Sequence, residues 1–244
     1  MNNFIAKNHQ KVIVVLPAYN AEKTIAKTYS EIPKNVVDEI IMVDDFSSDK
    51  TVKIAKKLKI KIYLHKKNKG YGANQKMCYD HALSMGGDII VMLHPDYQYD
   101  PKLIKYLVEY IKNGYFDVML GTRIRTMKEA IEGGMPKYKY YSNRFLTAIE
   151  NLVTGQNLGE WHTGMRAYRR EVLESIEFKK LSNDFIFDTQ ALFRIIKKGY
   201  RIGEIPVPIK YFPEASSINF KRSLKYGVCT LAESFKYLFY NLFK

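Results

Sequence analysis

The chain has 244 residues, of which 46% are hydrophobic, enough for one large domain or two small lobes around a substantial core. Lys and Arg outnumber Asp and Glu by 39 to 25, and the excess is uneven, since residues 53–76 carry nine lysines and no acid. Two distant cysteines, Cys78 and Cys229, exclude a disulfide framework and a cysteine-rich metal site, and they fit a reducing, cytosolic setting.

The basic patch calls for an anionic partner: nucleic acid, an anionic membrane surface or a phosphorylated substrate. A solvated helix face accounts equally well for many of these lysines. The N-terminus reaches a strand too soon for a signal peptide, and no apolar run approaches the ~18 residues needed to span a bilayer. The chain is expected to be soluble or peripheral.

In chain order, short apolar runs alternate with helical patterns, as in βαβ units around a mainly parallel sheet. Strands are predicted at 12–16, 40–43, 61–64, 88–93 and 118–121, with helices at 21–32, from a cap at Ser47, Ser48 or Asp49 to about 59, and at 72–85 and 101–112. After Gly121 the character changes. A Gly- and Pro-containing loop at 132–136 leads to an aromatic-rich helix over 137–153, then a polar turn at 155–159, a helix at 184–198 and an edge strand at 202–209 interrupted by Pro206 and Pro208. Leu224, Val228, Leu231, Phe235, Leu238 and Leu242 then mark one apolar face of a basic C-terminal helix. Such a helix suits a membrane interface, where each lysine near anionic lipid contributes about 1 kcal/mol, or it packs on its own domain. The chain divides into 1–122, 123–218 and the helix at 219–244.

Four segments fall at the carboxyl ends of predicted strands, where open α/β sheets bind ligands. These are Pro17-Ala18-Tyr19-Asn20, Asp44-Asp45-Phe46-Ser47-Ser48-Asp49, the loop Asn68-Lys69-Gly70-Tyr71-Gly72-Ala73-Asn74, and His94-Pro95-Asp96. Lys69 and Gly70 open a helix whose free N–H groups favour an anion. His94 and Asp96, two apart on an extended segment, point the same way and can converge on one cation. Together these are the parts of a nucleotide site, although neither a GxGxxG fingerprint nor a Walker lysine loop is present.

Val15-Leu-Pro-Ala-Tyr-Asn-Ala-Glu22, Val43-Asp-Asp-Phe-Ser-Ser-Asp-Lys-Thr51, the loop at 68–74 and Asp96-Tyr97-Gln98 with Asp100-Pro101 resemble family 2 glycosyltransferases of the GT-A fold. The likeness continues in order through Gly121-Thr122-Arg123, Thr163-Gly164-Met165-Arg166-Ala167-Tyr168 and Gly203-Glu204-Ile205-Pro206-Val207. Within that family the chain is most similar to polyprenyl-phosphate sugar synthases of the dolichol-phosphate mannose synthase group. The resemblance implies a Rossmann-like α/β fold with a nucleotide-sugar half and an acceptor-side half. It also implies a nucleotide-sugar donor (UDP-, GDP- or dTDP-linked), a lipid-phosphate or lipid-linked glycan acceptor, and work at the cytoplasmic face of a membrane. On that resemblance, Pro17 and Tyr19 line the base pocket, Asp45 bonds base or ribose, Asp96 is the main metal ligand, Gln98 lies beside the diphosphate and Arg123 contacts phosphate. Asp44 is expected to be structural.

Two departures stand out. His94 replaces the family's usual Asp, which makes Mn²⁺ as suitable as Mg²⁺ because imidazole favours the softer ion. The cations that family synthases carry after the Glu-x-Pro strand are missing from Tyr211-Phe-Pro-Glu-Ala-Ser-Ser217, leaving Lys221 and Arg222 to replace them. Asp188 is either a catalytic base for a hydroxyl acceptor or a helix N-terminal acid favoured by the dipole. His162 is either an acceptor contact or a buried, hydrogen-bonded residue. Three classes of function follow: a metal-dependent inverting glycosyltransferase, a degenerate domain that binds nucleotide sugar without turnover, and a nucleic-acid-binding protein. No nucleic-acid motif supports the third, and acids on the ligand rim oppose it. The aromatic helices serve a homodimer as readily as a membrane.

Overall fold

The computed structural model describes residues 9–208 and 220–242. Seven strands form one sheet in the order β3-β2-β1-β4-β6-β5-β7. They are β1 (Val12–Ala18), β2 (Glu39–Asp44), β3 (Lys61–Leu64), β4 (Ile89–Met92), β5 (Val118–Thr122), β6 (Arg166–Arg169) and β7 (Ile202–Pro206). All neighbours pair parallel except β6, which runs antiparallel to both β4 and β5. Every residue of β1 and of β4 is buried, as expected of strands covered on both faces.

Side-chain alternation splits the core into two layers. Ile13 and Val15 pack on one side with Tyr79, Trp161 and Leu192, while Val12, Val14 and Leu16 pack on the other with Ile25, Leu107 and Ile111. On the first side lie α3 (Tyr71–Ser84), α7 (Arg170–Ser175) and α8 (Phe187–Lys197). On the second are α1 (Ile25–Glu31), α2 (Thr51–Lys57) and α4 (Ile104–Lys112). In α4, Ile104, Leu107, Val108 and Ile111 form the buried stripe, at the spacing of a helix resting on a sheet.

The structure departs from the sequence pattern in three places and selects among the stated alternatives in a fourth. Strand β6 is not marked by any apolar run, because two of its four residues are arginines. It nevertheless sits centrally in the sheet, so the segments before and after residue 122 share one sheet. A short helix, α5 (Met127–Glu132), precedes the loop expected at 132–136, with Thr126 Oγ1 accepting from Glu129 N. Helix α8 begins at Phe187 rather than 184, after a turn in which Asp184 Oδ1 accepts from Phe185 N. Of the three candidate caps for α2, Asp49 is the one that bonds its first turn, accepting from both Thr51 N and Thr51 Oγ1. The strand expected at 202–209 is an edge strand, but it ends at Pro206, before Pro208; Ile209 lies outside the described residues, as does 211–217.

The last helix, α9 (Phe220–Leu242), packs on α6 (Lys137–Thr154) and α8. It does so through Tyr226, Thr230 and Ser234, the last two buried, while Leu224, Val228 and Phe235 stay about 60% exposed. The helix packs on its own domain, but with the face opposite the apolar stripe. The small Gly227, Thr230 and Ser234 give α6 a close approach, with the space beside Gly227 reaching Leu146. Hydrogen bonds between the Tyr226 hydroxyl and both His162 Nδ1 and Thr189 Oγ1 then fix the orientation.

Candidate active site

Ala18 pairs with Asp44, so the ends of β1 and β2 meet at the same rim. Pro17 is buried within β1, opposite Val43, and Tyr19 follows the strand's last residue, 55% exposed. Asn20 N donates to Ser47 Oγ and Ser48 N to Asn20 Oδ1, lacing the two loops together. Asp44 accepts from Ser47 N and Oγ, which makes it the brace of that turn.

Asp45 is buried, and its two oxygens accept from Lys69 N at 2.7 Å and Gly70 N at 2.9 Å. The anion held at this glycine loop is therefore the carboxylate of Asp45. The amides of Gly72 and Ala73, at the head of α3, donate to Asn183 O. Gly70 has φ +93° and Gly72 leaves no room for a Cβ, which would meet Ser182 O at 2.5 Å, so both glycines are needed to bring this loop under residues 182–183. Lys69 and Gly70 thus serve Asp45 through their backbones.

His94 ends the run after β4. Its Nε2 lies 3.2 Å from Tyr71 Oη, and the Tyr71 hydroxyl donates to Asp188 Oδ2 at 2.7 Å. With that hydroxyl committed, Nε2 carries the imidazole proton and Nδ1 keeps the lone pair. Burial holds the His94 pKa below its ordinary value, against the pull of Asp96 and Asp188, and so favours the neutral ring. Asp188 also accepts from Gln75 Nε2 at 3.3 Å and lies 3.7 Å from the fully buried Arg166 guanidinium, which is spread over the carbonyls of Trp161 and Thr163. Asp188 is 7% exposed and has donors on both oxygens. Burial, then the Asp188 charge, drives the Tyr71 pKa well up and keeps it a donor.

Asp96 has one oxygen accepting from Gln98 N at 3.1 Å, and Gln98 itself is buried. Burial raises the Asp96 pKa above its ordinary value despite the pull of His94 and Gln98 N, the mark of a carboxylate short of positive charge. Among the described residues no group of three His, Cys, Asp or Glu could hold a metal unaided. An under-compensated carboxylate with a neutral imidazole two residues away still fits a divalent cation whose other ligands come from a substrate diphosphate. Asp96 suits Mg²⁺ or Mn²⁺, and a nitrogen from His94 would favour Mn²⁺.

Arg123, just past β5, is clamped by Glu160. Its backbone N and Nε each donate to Glu160 at 2.7 Å, Nη2 pairs with Oε1, and Nη2 also reaches His162 O. Glu160 is completely buried and takes a further bond from Asn143 Nδ2, while Glu204 on β7 accepts from Gly159 N and Glu160 N and fixes the loop. His162 belongs to a buried cluster: Nδ1 bonds Tyr226 Oη at 2.7 Å, and Nε2 lies 3.1 Å from Glu150. The sequence pattern missed Glu160, Arg166 and Tyr71. Only the position of Tyr71 between two loop glycines and of Arg166 after Thr-Gly-Met offered a signal, and Glu160 offered none.

The model of the family described as "Glycosyl transferase family 2" matches residues 13–177. The chain belongs to this family. Among its relatives are a UDP-N-acetylglucosamine–dolichyl-phosphate N-acetylglucosaminyltransferase from Methanococcus voltae, 29% identical over 82% of this chain and 86% of that protein, and a dolichyl-phosphate hexose transferase from Haloferax volcanii, 28% identical over 81% and 82%. A solved structure of glucosyl-3-phosphoglycerate synthase from Mycobacterium tuberculosis, in complex with Mn²⁺, UDP and phosphoglyceric acid, superposes with a TM-score of 0.71, at 18% identity over 92% of this chain and 78% of that one. The Mg²⁺ and UDP complex of the same synthase gives 0.72 at 19% identity over 92% and 79%. The fold of this family 2 glycosyltransferase is GT-A, and the rim holding Asp45, Asp96 and Arg123 is its candidate active site.

Proposed function

We propose that this glycosyltransferase moves a sugar, with inversion, from a nucleoside-diphosphate sugar to a polyprenyl phosphate or other lipid-linked acceptor at the cytoplasmic face of a membrane. The observation that carries the acceptor is Asp188. A sugar hydroxyl must lose a proton to attack, and Asp188 is the candidate base on the acceptor side. Its oxygens are engaged by Tyr71, Gln75 and Arg166 in a nearly closed pocket. A phosphate oxygen needs no base, because it arrives as an anion.

In the reaction a phosphate oxygen forms a bond to the anomeric carbon as the bond from that carbon to the donor diphosphate breaks, and the electron pair leaves with the diphosphate. Pro17, Tyr19 and Asp45 take the base and ribose, and Gln98 lies beside the diphosphate. Asp96, with His94 alongside, would hold Mg²⁺ or Mn²⁺, which when bound supplies positive charge to the leaving diphosphate. Arg123, aimed by Glu160, faces the same phosphates, and fixed charge of this kind is often the largest catalytic contribution.

The membrane reading rests on two stripes. Tyr138, Tyr141, Phe145 and Leu152 on α6 and Leu224, Val228, Phe235 and Phe239 on α9 are all exposed, on helices that pack together. Lys221, Arg222, Lys225 and Lys236 are exposed on the same α9. Among the described residues no helix is long and apolar enough to cross a membrane. A basic apolar face of this kind lies in the interface of an anionic bilayer.

The test is a scan of UDP-, GDP- and dTDP-sugars with Mg²⁺ or Mn²⁺ against a polyprenyl phosphate and the matching polyprenol. Transfer to the phosphate alone is expected. Transfer to the polyprenol would restore a base, and nucleotide binding without any turnover would make this a degenerate binding domain.

A further inference from the structure

We infer that Phe46 is a second stacking ring of the donor pocket, which grips the nucleobase together with Tyr19 and sets base preference; this rests on the nucleotide-sugar reading above. Phe46 has φ +66°, a left-handed conformation that a bulky side chain adopts only at a cost. Burial does not offset it, since the ring is 58% exposed. The conformation is imposed from both sides. Asp45 N donates to Ala18 O at 2.8 Å and the Asp45 carboxylate is held by Lys69 N and Gly70 N, while Ser47 N and Oγ both donate to Asp44. An exposed aromatic on an over-determined, strained turn is not a stability device, and such turns gather at ligand sites.

Its surroundings name the ligand. Ala18 pairs with Asp44 as the last pair of β1 and β2, so Tyr19 follows one strand end directly and Phe46 lies two residues beyond the other. Asn20 shares the left-handed conformation, at φ +50°, and its bonds to Ser47 Oγ and Ser48 N hold the two loops edge to edge. Two exposed rings, at 55% and 58%, therefore rise from adjacent strand ends at the ligand-binding edge of the sheet. The ligand this suits has two flat apolar faces and polar edges, which is a heteroaromatic base.

The experiment is calorimetric titration of wild type, Phe46→Gly, Phe46→Asn and Tyr19→Ala with UDP, GDP and dTDP, each with Mn²⁺, and with pyrophosphate and Mn²⁺ as a probe lacking a base. Gly and Asn both accept the left-handed turn, so neither should lower the melting temperature of the unliganded protein. Each Phe46 variant should bind the best nucleotide about tenfold more weakly, the usual size of one base–aromatic stack, with pyrophosphate unchanged. Nucleotide affinity within twofold of wild type in both Phe46 variants, or an equal loss for pyrophosphate, overturns the assignment of Phe46 and leaves the donor reading intact. Failure of the wild type to bind any of the three nucleotides overturns both.

Discussion

The Tyr71 hydroxyl donates to Asp188 Oδ2 at 2.7 Å, joining the glycine loop to a residue 117 positions later. Hydrogen bonds to a charged group are worth about 1.5–3 kcal/mol, so Tyr71→Phe should destabilise the protein by that amount in denaturant titration. Asp188→Asn should destabilise it further, because Arg166 is left buried without its counter-charge. At temperatures where it stays folded, its kcat should fall less than about tenfold. A loss of 10³-fold or more would identify Asp188 as the general base, since that is the scale of a lost proton acceptor.

Asp96 should behave as a carboxylate kept for function at the expense of stability. Its pKa is raised in the folded state, so as pH rises above the ordinary aspartate range the unfolded chain ionises first and stability is lost. At pH 7 without metal, Asp96→Asn should therefore melt no lower than wild type, and higher if the burial is fully relieved. The added melting-temperature increase from Mn²⁺ with UDP should disappear in the same variant. A variant that loses stability without metal and keeps that increase would show that Asp96 is structural.

Glu160 gives the opposite pH dependence. Burial alone would raise its pKa, but the Arg123 charge and the bonds from Arg123 carry it below the ordinary glutamate value. Its contribution is present above the unfolded pKa and is lost as pH falls through the lowered folded value. The melting-temperature gap between wild type and Glu160→Gln should be constant from about pH 6 to 8 and close below about pH 4.5. Because Arg123 loses its brace, kcat should fall more than KM rises. A gap that widens as the pH falls below about 4.5 would contradict the pairing.

Phe235→Ser and Phe239→Ser, both on the outer face of α9, should leave the unfolding free energy within about 0.5 kcal/mol of wild type, as expected of exposed positions. Co-sedimentation with vesicles containing anionic lipid should drop several-fold in the double variant, and wild-type binding should weaken with salt. If sedimentation velocity instead shows a wild-type dimer that the double variant abolishes, with vesicle binding unchanged, this face joins two copies.

Much of the candidate site was legible before any coordinates. Strands β1, β2 and β4 carry both their position and their rim residues in short apolar runs that stop at Pro17, Asp44 and His94, because a parallel strand buried on both faces must be apolar and its ligand loop must not be. What sequence spacing could not give was the partner of each polar group. Asp45 lies 24 residues from Lys69, Arg123 lies 37 from Glu160 and Tyr71 lies 117 from Asp188. No local pattern encodes such pairs. Strand β6 was missed for the same reason: Arg166 is tolerated in the core only because the carbonyls of Trp161 and Thr163 and the Asp188 carboxylate gather round it.

The sequence by itself determined the alternating α/β order, the rim on which Tyr19, Asp45, Asp96 and Arg123 fall, and the family, since these follow from hydrophobic period and from motifs read in order. Only the tertiary structure decided which charges are already spoken for. Lys69 and Gly70 hold Asp45, Glu160 holds Arg123, and Asp188 is closed in by Tyr71, Gln75 and Arg166, whereas Asp96 is left short of positive charge. It also decided which face of α9 turns inward. The amphipathic pattern gives a helix two faces, but whether the apolar one is covered depends on the surface it meets, and here His162 and Thr189 bond the Tyr226 hydroxyl and leave the apolar face outside.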